Sequence, residues 1–452
     1  MSETNKYHGW ISAGLFNGLQ KLSVPLFGII TTMLLAKRAL TKQEMGVWAI
    51  FLIVTSFVEI LRQSLVKTSM IKFINHHEAD KHTFILSAAL FLNALISVIL
   101  IGFLLLFSPY FAAVLKAPQL EPMMHIFTAG LLLLIPFSHF EWIMYTKSEF
   151  KALFYTFFWR QGITLLLMII FLAMDRKISL DLLVVFYCAG IFAGAIAGYR
   201  FIHHHLSKSF SLSAKWILEM WHFGKYVFGT GISSIIFGNA GQMMTSPILG
   251  STVYTASQSI AARVINIADM PSAVLSDIVF PKSAKKENAE NTDRVKYYYE
   301  KTVGATLCFC MPMVLFILLF PKFIILVLAG QQYFDAIPYL QLIAFTGIFL
   351  AFLKAWGVII DSVGKPALNF LIITFLAAVH LVLAYFFITN AGFLGAAYAL
   401  LATHIIGFII TQLLLYKKYR ISFISCFRYA FSFYPELSKI VMQKLSVKWK
   451  AR

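Results

Sequence analysis

Charged side chains are scarce in this sequence, and acidic ones are the scarcest. Only 13% of the 452 residues are charged, with 20 Asp and Glu residues against 38 Lys and Arg residues, whereas 59% are hydrophobic. An ordinary soluble domain carries about 25% charged residues. The composition therefore excludes an ordinary soluble domain and leaves a protein that is buried in lipid over most of its length.

Cysteine is also rare, with four residues in the whole chain. Four scattered cysteines do not make a disulfide framework, and Cys188, Cys308 and Cys310 fall in apolar stretches where core packing is expected. The triplet His203–His205 has no carboxylate or cysteine beside it in the sequence. The sequence thus predicts no metal site there, and no cofactor is expected.

What the chain does have is a series of apolar stretches of about 20 residues or more, the length that spans a bilayer as a helix. They do not alternate between polar and apolar residues as barrel strands do, and backbone groups in lipid must be satisfied within a helix. The pattern predicts an all-α polytopic membrane protein with twelve transmembrane helices. These are placed at residues 11–36, 46–73, 83–108, 119–146, 152–174, 180–203, 222–248, 252–280, 299–320, 339–361, 366–389 and 393–416.

The distribution of Lys and Arg predicts the orientation. Most of the 38 basic residues fall on one side when the N-terminus is placed inside, with a dense run at 282–301. Both termini are then cytoplasmic. We interpret the excess of positive charge as a determinant of membrane topology rather than as a nucleic-acid-binding surface. The basic tail after Tyr416 is expected to be solvated or to lie near anionic lipid headgroups.

The second half of the chain repeats features of the first. Gly46–Ala49 opens the second apolar segment and Val253–Ala256 opens the eighth, while Leu106–Leu115 resembles Leu319–Leu328 at the ends of the third and ninth. Duplication is typical of transporters, and two copies of six helices share one orientation. We expect two parallel-repeat lobes at residues 1–208 and 209–416, followed by a basic cytoplasmic tail at residues 417–452.

Three basic residues lie deep inside predicted spans: Lys21, Arg62 and Arg263. A charge at the centre of a membrane helix costs about 2.5–3.5 kcal/mol on insertion scales, so each is a candidate functional residue. They could form a cationic patch in a hydrated cavity, where they would bind an anionic headgroup. The alternative is an ion pair within the protein, for which Glu59 stands three residues before Arg62.

Other polar residues within the spans have less specific predictions. Arg160, Lys225 and Lys354 lie nearer the cytoplasmic ends and could extend to the headgroups. Lys354 shares a helix face with Asp361, which suggests local neutralisation. As a secondary cavity set we take Asn17, Arg160, Lys225 and Lys354, and as candidates for proton or sodium coupling Glu59, Glu141, Asp269 and Asp277.

Four short segments carry a family resemblance: Leu34–Ala49, Val253–Arg263, Val363–Pro366 and Gly392–Ala399. They resemble motifs of the oligosaccharide (Wzx-type) flippases within the multidrug/oligosaccharidyl-lipid/polysaccharide (MOP) exporter superfamily, although Val253 stands where Gly is common. The resemblance implies a multidrug-exporter-like pair of lobes in the bacterial cytoplasmic membrane. It also implies alternating-access transport of an undecaprenyl-pyrophosphate-linked oligosaccharide, with Lys21, Arg62 and Arg263 at the pyrophosphate.

Two alternatives remain open at this point. An ion-coupled multidrug exporter would share the fold, although its cavity usually favours acidic residues for cationic drugs. A membrane-embedded glycan polymerase or acyltransferase would need a large external loop or paired catalytic residues, and the short external loops offer neither. The sequence therefore favours a non-enzymatic transporter whose partners are a lipid-linked saccharide, membrane lipids and a coupling ion such as H⁺ or Na⁺.

Overall fold

The computed structural model describes residues 3–206, 210–270, 275, 279, 283 and 291–435. Side chains are described from residue 16 onward within these ranges, except at 17, 21, 79 and 226. Asp277 lies outside the described residues, and the side chains of Asn17 and Lys21 also lie outside them.

The first half of the chain folds into seven α-helices, two of which are extended by a π-helical turn. The π-helical turns are Leu35–Ala39 after the first helix and Gln63–Lys67 after the second. A short 3₁₀ turn, His203–His205, follows the seventh helix. The helices are α1 Glu3–Leu34, α2 Lys42–Arg62, α3 Thr68–His76, α4 Ala79–Val114, α5 Leu120–Thr146, α6 Phe150–Ala173 and α7 Leu180–Ile202.

The second half is likewise helical, with 3₁₀ turns at Gln331–Tyr333 and Gly392–Leu394. Its helices are α8 Ala214–Leu249, α9 Val253–Ala268, α10 Thr292–Leu319, α11 Pro321–Leu328, α12 Ala336–Ala344, α13 Thr346–Ser362, α14 Pro366–Ala391 and α15 Gly395–Tyr419. Residues 423–435 form one more helical segment.

Local sequence signals account for several of these boundaries. At the start of α2, Thr41 and Glu44 form a reciprocal capping box that satisfies two backbone N–H groups. Pro366 opens α14 at the position where its missing N–H has no helical partner. Gly364 precedes it with φ 76°, a left-handed conformation that glycine adopts without strain.

Within the described residues, eight helical stretches are long and apolar enough to cross a membrane, and the stretch Pro366–Tyr419 contains both α14 and α15. The pair α12 and α13, bent by 43°, adds a ninth if it is counted as one span. Each of the twelve predicted segments contains described helix, and the described part of the chain contains no strand. The prediction of an all-α polytopic membrane protein is confirmed, whereas the count of twelve spans stays a prediction.

The chain divides into two compact units. Unit 1 comprises residues 1–260 with 327–333, and unit 2 comprises residues 261–326 with 334–452. The core of unit 1 includes Trp142, Trp216 and Met220, and that of unit 2 is centred on Tyr299, Phe352 and Trp356. The lobe boundary predicted at residue 208 concerns the sequence repeat and stays a prediction.

The segment that follows α15 differs from the solvated tail that the sequence predicts. Ile421, Cys426 and Ala430 are buried in the core of unit 2. The Tyr434 hydroxyl donates a hydrogen bond to the Cys308 carbonyl on α10 at 2.8 Å. Apolar residues spaced four or five apart give this basic segment a face that packs on the protein, and the charges point elsewhere.

Candidate functional site

Arg62, at the end of α2, lies in a polar cluster inside unit 1 and is only 1% exposed. Its Nε and Nη2 donate to Asn93 Oδ1 at 3.1 and 2.7 Å. Nη2 also donates to the Leu134 carbonyl at 2.9 Å and lies 3.3 Å from Ser138 Oγ. This guanidinium therefore joins α2 to α4 and α5, and only its Nη1 is buried without a partner.

Glu59 does not pair with Arg62, which corrects the pairing suggested by their spacing. Its carboxylate instead accepts from Arg160 Nη2 at 2.5 Å and from the Tyr187 hydroxyl at 3.2 Å. Arg160 also lies over the Phe137 ring at 4.8 Å. The expectation that Arg160 extends to the headgroups is wrong, because it is 5% exposed and neutralised by an acid on another helix.

A second ion pair in unit 1 involves a lysine that sequence reasoning missed. Lys67 Nζ lies 2.9 Å from Glu141 Oε1 and 3.8 Å from the centre of the Tyr145 ring. Lys67 closes the π-helical turn that begins directly after Arg62. Single-turn π segments are frequent at functional sites, but no residue type marks them, so the charge of Lys67 was the only available signal.

Helix α8 packs directly on this π-helical turn. A Cβ atom on Gly224 would lie 2.3 Å from the Leu65 carbonyl oxygen, and one on Gly231 would lie 2.4 Å from Ser64 Oγ. Only glycine permits such an approach, so the two backbones are held in contact. Lys225, next to Gly224 and predicted near the cytoplasmic end, is exposed.

Unit 2 holds Arg263 in a different setting. The side chain is half-buried on α9, and it makes no hydrogen bond or ion pair with any other residue that the structure describes. Of the two predicted central cations with described side chains, Arg62 bonds through Nε and Nη2 to neutral groups inside unit 1. Arg263 has no such partner among the described residues.

The other candidate charges of unit 2 that the structure describes have side-chain partners. Lys354 forms an ion pair with Asp269, whereas Asp361 accepts from Asn369 Nδ2 at 3.1 Å. The suggested neutralisation of Lys354 by Asp361 is therefore wrong. Of the four acids considered for ion coupling, Glu59, Glu141 and Asp269 each neutralise a cation, and Asp277 lies outside the described residues.

Two hydrogen bonds in unit 1 join the ends of helices from the two halves of the predicted repeat, and we call them the reciprocal contacts. At the end of α8, Ser246 Oγ donates to the Leu115 carbonyl, which follows α4, at 2.6 Å. In the other direction, Gln332 Nε2 donates to the Ala36 carbonyl after α1 at 2.5 Å. In the predicted repeat α1 corresponds to α8, and the end of α4 corresponds to the end of α11, so the two contacts would be counterparts.

The histidine triplet has a neighbour that its local sequence does not reveal. Glu149, from the turn between α5 and α6, lies beside His204 and His205, and one ligand atom from each residue lies within 4.8 Å of the others. The prediction that no carboxylate accompanies the triplet holds along the chain but not in space. The turn that brings Glu149 there lies more than 50 residues earlier.

The chain resembles known proteins in both sequence and fold. A family model described as polysaccharide biosynthesis protein matches residues 34–338, well over half of the chain. An uncharacterized membrane protein of Methanocaldococcus jannaschii, MJ1068, is 24% identical over 185 residues, which is 41% of this chain. That match covers 36% of the relative's length.

Solved structures with a similar fold include two kinds of membrane transporter. An inward-facing multidrug resistance MATE family transporter of the MOP superfamily matches with a TM-score of 0.73 and 14% identity, over 88% of this chain and 98% of that one. The lipid II flippase MurJ, in an inward closed conformation, matches with a TM-score of 0.72 and 11% identity, over 95% and 93%. The near-equal scores establish the fold and do not distinguish the two functions.

Proposed function

Because this chain belongs to the polysaccharide biosynthesis protein family, we propose that it is a flippase for a lipid-linked oligosaccharide. In this proposal the substrate is an undecaprenyl-pyrophosphate-linked oligosaccharide that crosses the cytoplasmic membrane for assembly of a surface polysaccharide. The family match supports this assignment, and the fold that the chain shares with the lipid II flippase MurJ is consistent with it. The protein acts as a carrier, and the substrate keeps its covalent structure.

The observation that carries the substrate class is the free guanidinium of Arg263. It is half-buried on α9 and has no partner among the described residues. A charge at the centre of a membrane helix is unfavourable by about 2.5–3.5 kcal/mol, and an unpaired cation therefore favours an anionic partner. A guanidinium binds phosphate oxygens through two parallel hydrogen bonds, so a pyrophosphate would satisfy a group that no described residue satisfies.

The other two predicted cations have separate roles in this proposal. Lys21, whose side chain lies outside the described part of the chain, stays a predicted ligand of the pyrophosphate. Arg62, enclosed by Asn93, Ser138 and a backbone carbonyl, fixes the position of α2 against α4 and α5. Its effect on the substrate is then indirect, through the shape of unit 1.

Three ion pairs neutralise other charged side chains of the interior. Glu59, Glu141 and Asp269 neutralise Arg160, Lys67 and Lys354. A coupling proton or sodium ion would have to displace a cation from one of these pairs. We therefore assign these acids to neutralisation, which leaves Arg263 as the described central charge that is open to an anion.

Alternating access is the transport mechanism that the repeat supports. The reciprocal contacts Ser246–Leu115 and Gln332–Ala36 hold together helix ends that, in the predicted orientation, face the outside. Each is a single hydrogen bond, worth about 0.5–1.5 kcal/mol net. We propose that they break when the carrier opens outward and re-form when it closes there.

Export of surface glycan in cells tests the function. The experiment replaces the native gene by Arg263→Glu, Arg263→Leu or Arg263→Lys and measures surface polysaccharide together with protein abundance in the membrane. Arg263→Glu and Arg263→Leu should abolish export at normal abundance, and Arg263→Lys should retain part of it. Normal export by Arg263→Glu would contradict the proposal, and so would a phenotype confined to drug sensitivity, which would favour a multidrug exporter.

A further inference from the structure

The turn between α5 and α6 meets the 3₁₀ turn His203–His205 at the predicted cytoplasmic end of unit 1. Both turns are held in place by their own backbone bonds. The Glu149 N–H donates to the Met144 carbonyl at 2.9 Å, across Ser148 in a left-handed conformation with φ 56°. These bonds fix the point from which the Glu149 carboxylate extends.

Three potential metal ligands converge where the turns meet. His205 Nε2 lies 3.4 Å from Glu149 Oε1, and the rings of His204 and His205 lie 4.1 Å apart between centroids. One ligand atom from each of the three residues lies within 4.8 Å of the others. Ligand atoms of a tetrahedral zinc site lie roughly 3.3–3.5 Å apart, since each bond is about 2.0–2.2 Å long. The three side chains are half-exposed or exposed, so they have room to rotate toward that geometry.

A cavity of about 260 Å³ adjoins the same residues. Its wall includes His204, His205, His82, Thr83 and Lys147. His82 is held in place, with Nε2 3.0 Å from the Ile74 and His77 carbonyls. The cavity is polar on this side and large enough for the water molecules that complete a coordination sphere.

We propose that Glu149, His204 and His205 form a binding site for a divalent transition-metal ion such as Zn²⁺. Two imidazoles and one carboxylate suit this class, whereas Mg²⁺ and Ca²⁺ prefer all-oxygen ligands. Water from the adjoining cavity fills the open coordination positions.

The site joins two parts of the chain that are far apart in sequence. Glu149 belongs to the turn between α5 and α6, and the histidines begin the segment that connects the two sequence repeats. A bound ion would fix the start of this connecting segment to the turn. Metal binding would therefore stabilise the folded protein, by an amount that grows with the logarithm of the free metal concentration once the site is mostly occupied.

Direct metal binding to the purified full-length protein tests the site. The protein is purified without a polyhistidine tag, because a tag would itself bind metal. Zn²⁺ is titrated in competition with a chromophoric chelator, and the absorption spectrum of bound Co²⁺ is the second readout. We expect one ion per chain. Loss of an outer-shell partner typically weakens metal binding by about 10–100-fold. We expect a larger loss of Zn²⁺ affinity from each single ligand variant, His204→Ala, His205→Ala and Glu149→Gln.

His203→Ala is the matched control. This neighbouring histidine is exposed, its Nδ1 lies 3.0 Å from the Arg200 carbonyl, and it is not part of the cluster. It should bind Zn²⁺ like the unmodified protein. Absence of saturable Zn²⁺ binding, or equal weakening by His203→Ala and His204→Ala, would overturn the proposal. Thermal unfolding without metal, expected to be unchanged in the histidine variants, separates loss of a ligand from loss of the fold.

Discussion

Gly46 at the start of α2 lies directly against the backbone of Thr252, which precedes α9. A Cβ atom at Gly46 would lie 1.9 Å from the Thr252 carbonyl oxygen, and Thr252 Oγ1 donates to the Gln43 carbonyl at 3.0 Å. Gly46 begins one of the two matching segments of the predicted repeat, and Thr252 directly precedes the other. The starts of these two helices therefore contact each other, and the glycine makes the close approach possible.

Gly46→Ala tests this contact. The added methyl group meets backbone atoms that cannot rotate away, so it should lower stability by about 1–3 kcal/mol, as overpacking does. Thermal unfolding in detergent measures the change. Gly102→Ala in α4 is the control, because a Cβ there has nothing within 4 Å. Equal melting temperatures for the two variants would argue against the close approach.

The reciprocal contacts Ser246–Leu115 and Gln332–Ala36 should control how far Thr252 is exposed to the outside of the cell. Thr252 is 1% exposed, so Thr252→Cys should react slowly with a membrane-impermeant maleimide in whole cells. Adding Ser246→Ala and Gln332→Ala removes both reciprocal hydrogen bonds and should accelerate labelling several-fold, since each bond contributes about 0.5–1.5 kcal/mol. An unchanged rate would mean that these bonds do not hold the helix ends together.

Two features keep this labelling experiment specific. The four native cysteines are buried, and burial raises the pKa of the Cys426 thiol, so less of the reactive thiolate is present at neutral pH. Gln331→Cys, at an exposed position on the same side, reports full accessibility. It should label quickly whether or not the reciprocal bonds are present.

Helix positions followed closely from hydropathy, because a membrane span requires a minimum length of apolar residues. The predictions 119–146 and 180–203 match α5 and α7 within one residue at each end. Helix α8 begins eight residues earlier than predicted, at Ala214. Its first turns contain Lys215 and Glu219, which lower the hydropathy, while Trp216 and Met220 of the same turns pack into the core of unit 1.

Site partners were harder to predict than helices. Three residues separate Glu59 and Arg62, a spacing that allows contact, yet the two side chains turn to different neighbouring helices. The actual partner of Glu59 lies 101 residues away. One sequence shows which charges are buried in spans, but only the packing of α2 against α4, α5, α6 and α7 shows how each is neutralised.

Arg62→Leu should destabilise unit 1 without removing a substrate ligand. The substitution leaves Asn93 Oδ1 without its donors. A buried unsatisfied group lowers the free energy of unfolding by about 1–3 kcal/mol. Combining it with Asn93→Leu should restore part of the loss, which a double-mutant cycle in detergent unfolding measures. Strictly additive effects would mean that the bond between these side chains contributes little.

Glu59→Gln should be more damaging than Tyr187→Phe. The first change leaves the buried Arg160 without its counter-charge, a loss of about 3–5 kcal/mol for a broken buried ion pair. The second change removes the hydroxyl that bonds to Arg160 and Glu59. Loss of such a hydrogen bond should lower the free energy of unfolding by about 0.5–1.5 kcal/mol. Membrane abundance and unfolding temperature report both. The reverse order would place the stabilising interaction on Tyr187 rather than on the ion pair.

Reconstituted translocation gives the most direct measurement of anion binding by Arg263. Protein in liposomes is supplied with a fluorescent undecaprenyl-pyrophosphate-linked oligosaccharide, and its arrival in the opposite leaflet is followed by quenching. The unmodified protein should move the lipid, Arg263→Lys should move it more slowly, and Arg263→Glu should not move it although its unfolding temperature is unchanged. Translocation by Arg263→Glu at the unmodified rate would contradict the assignment of this guanidinium to the pyrophosphate.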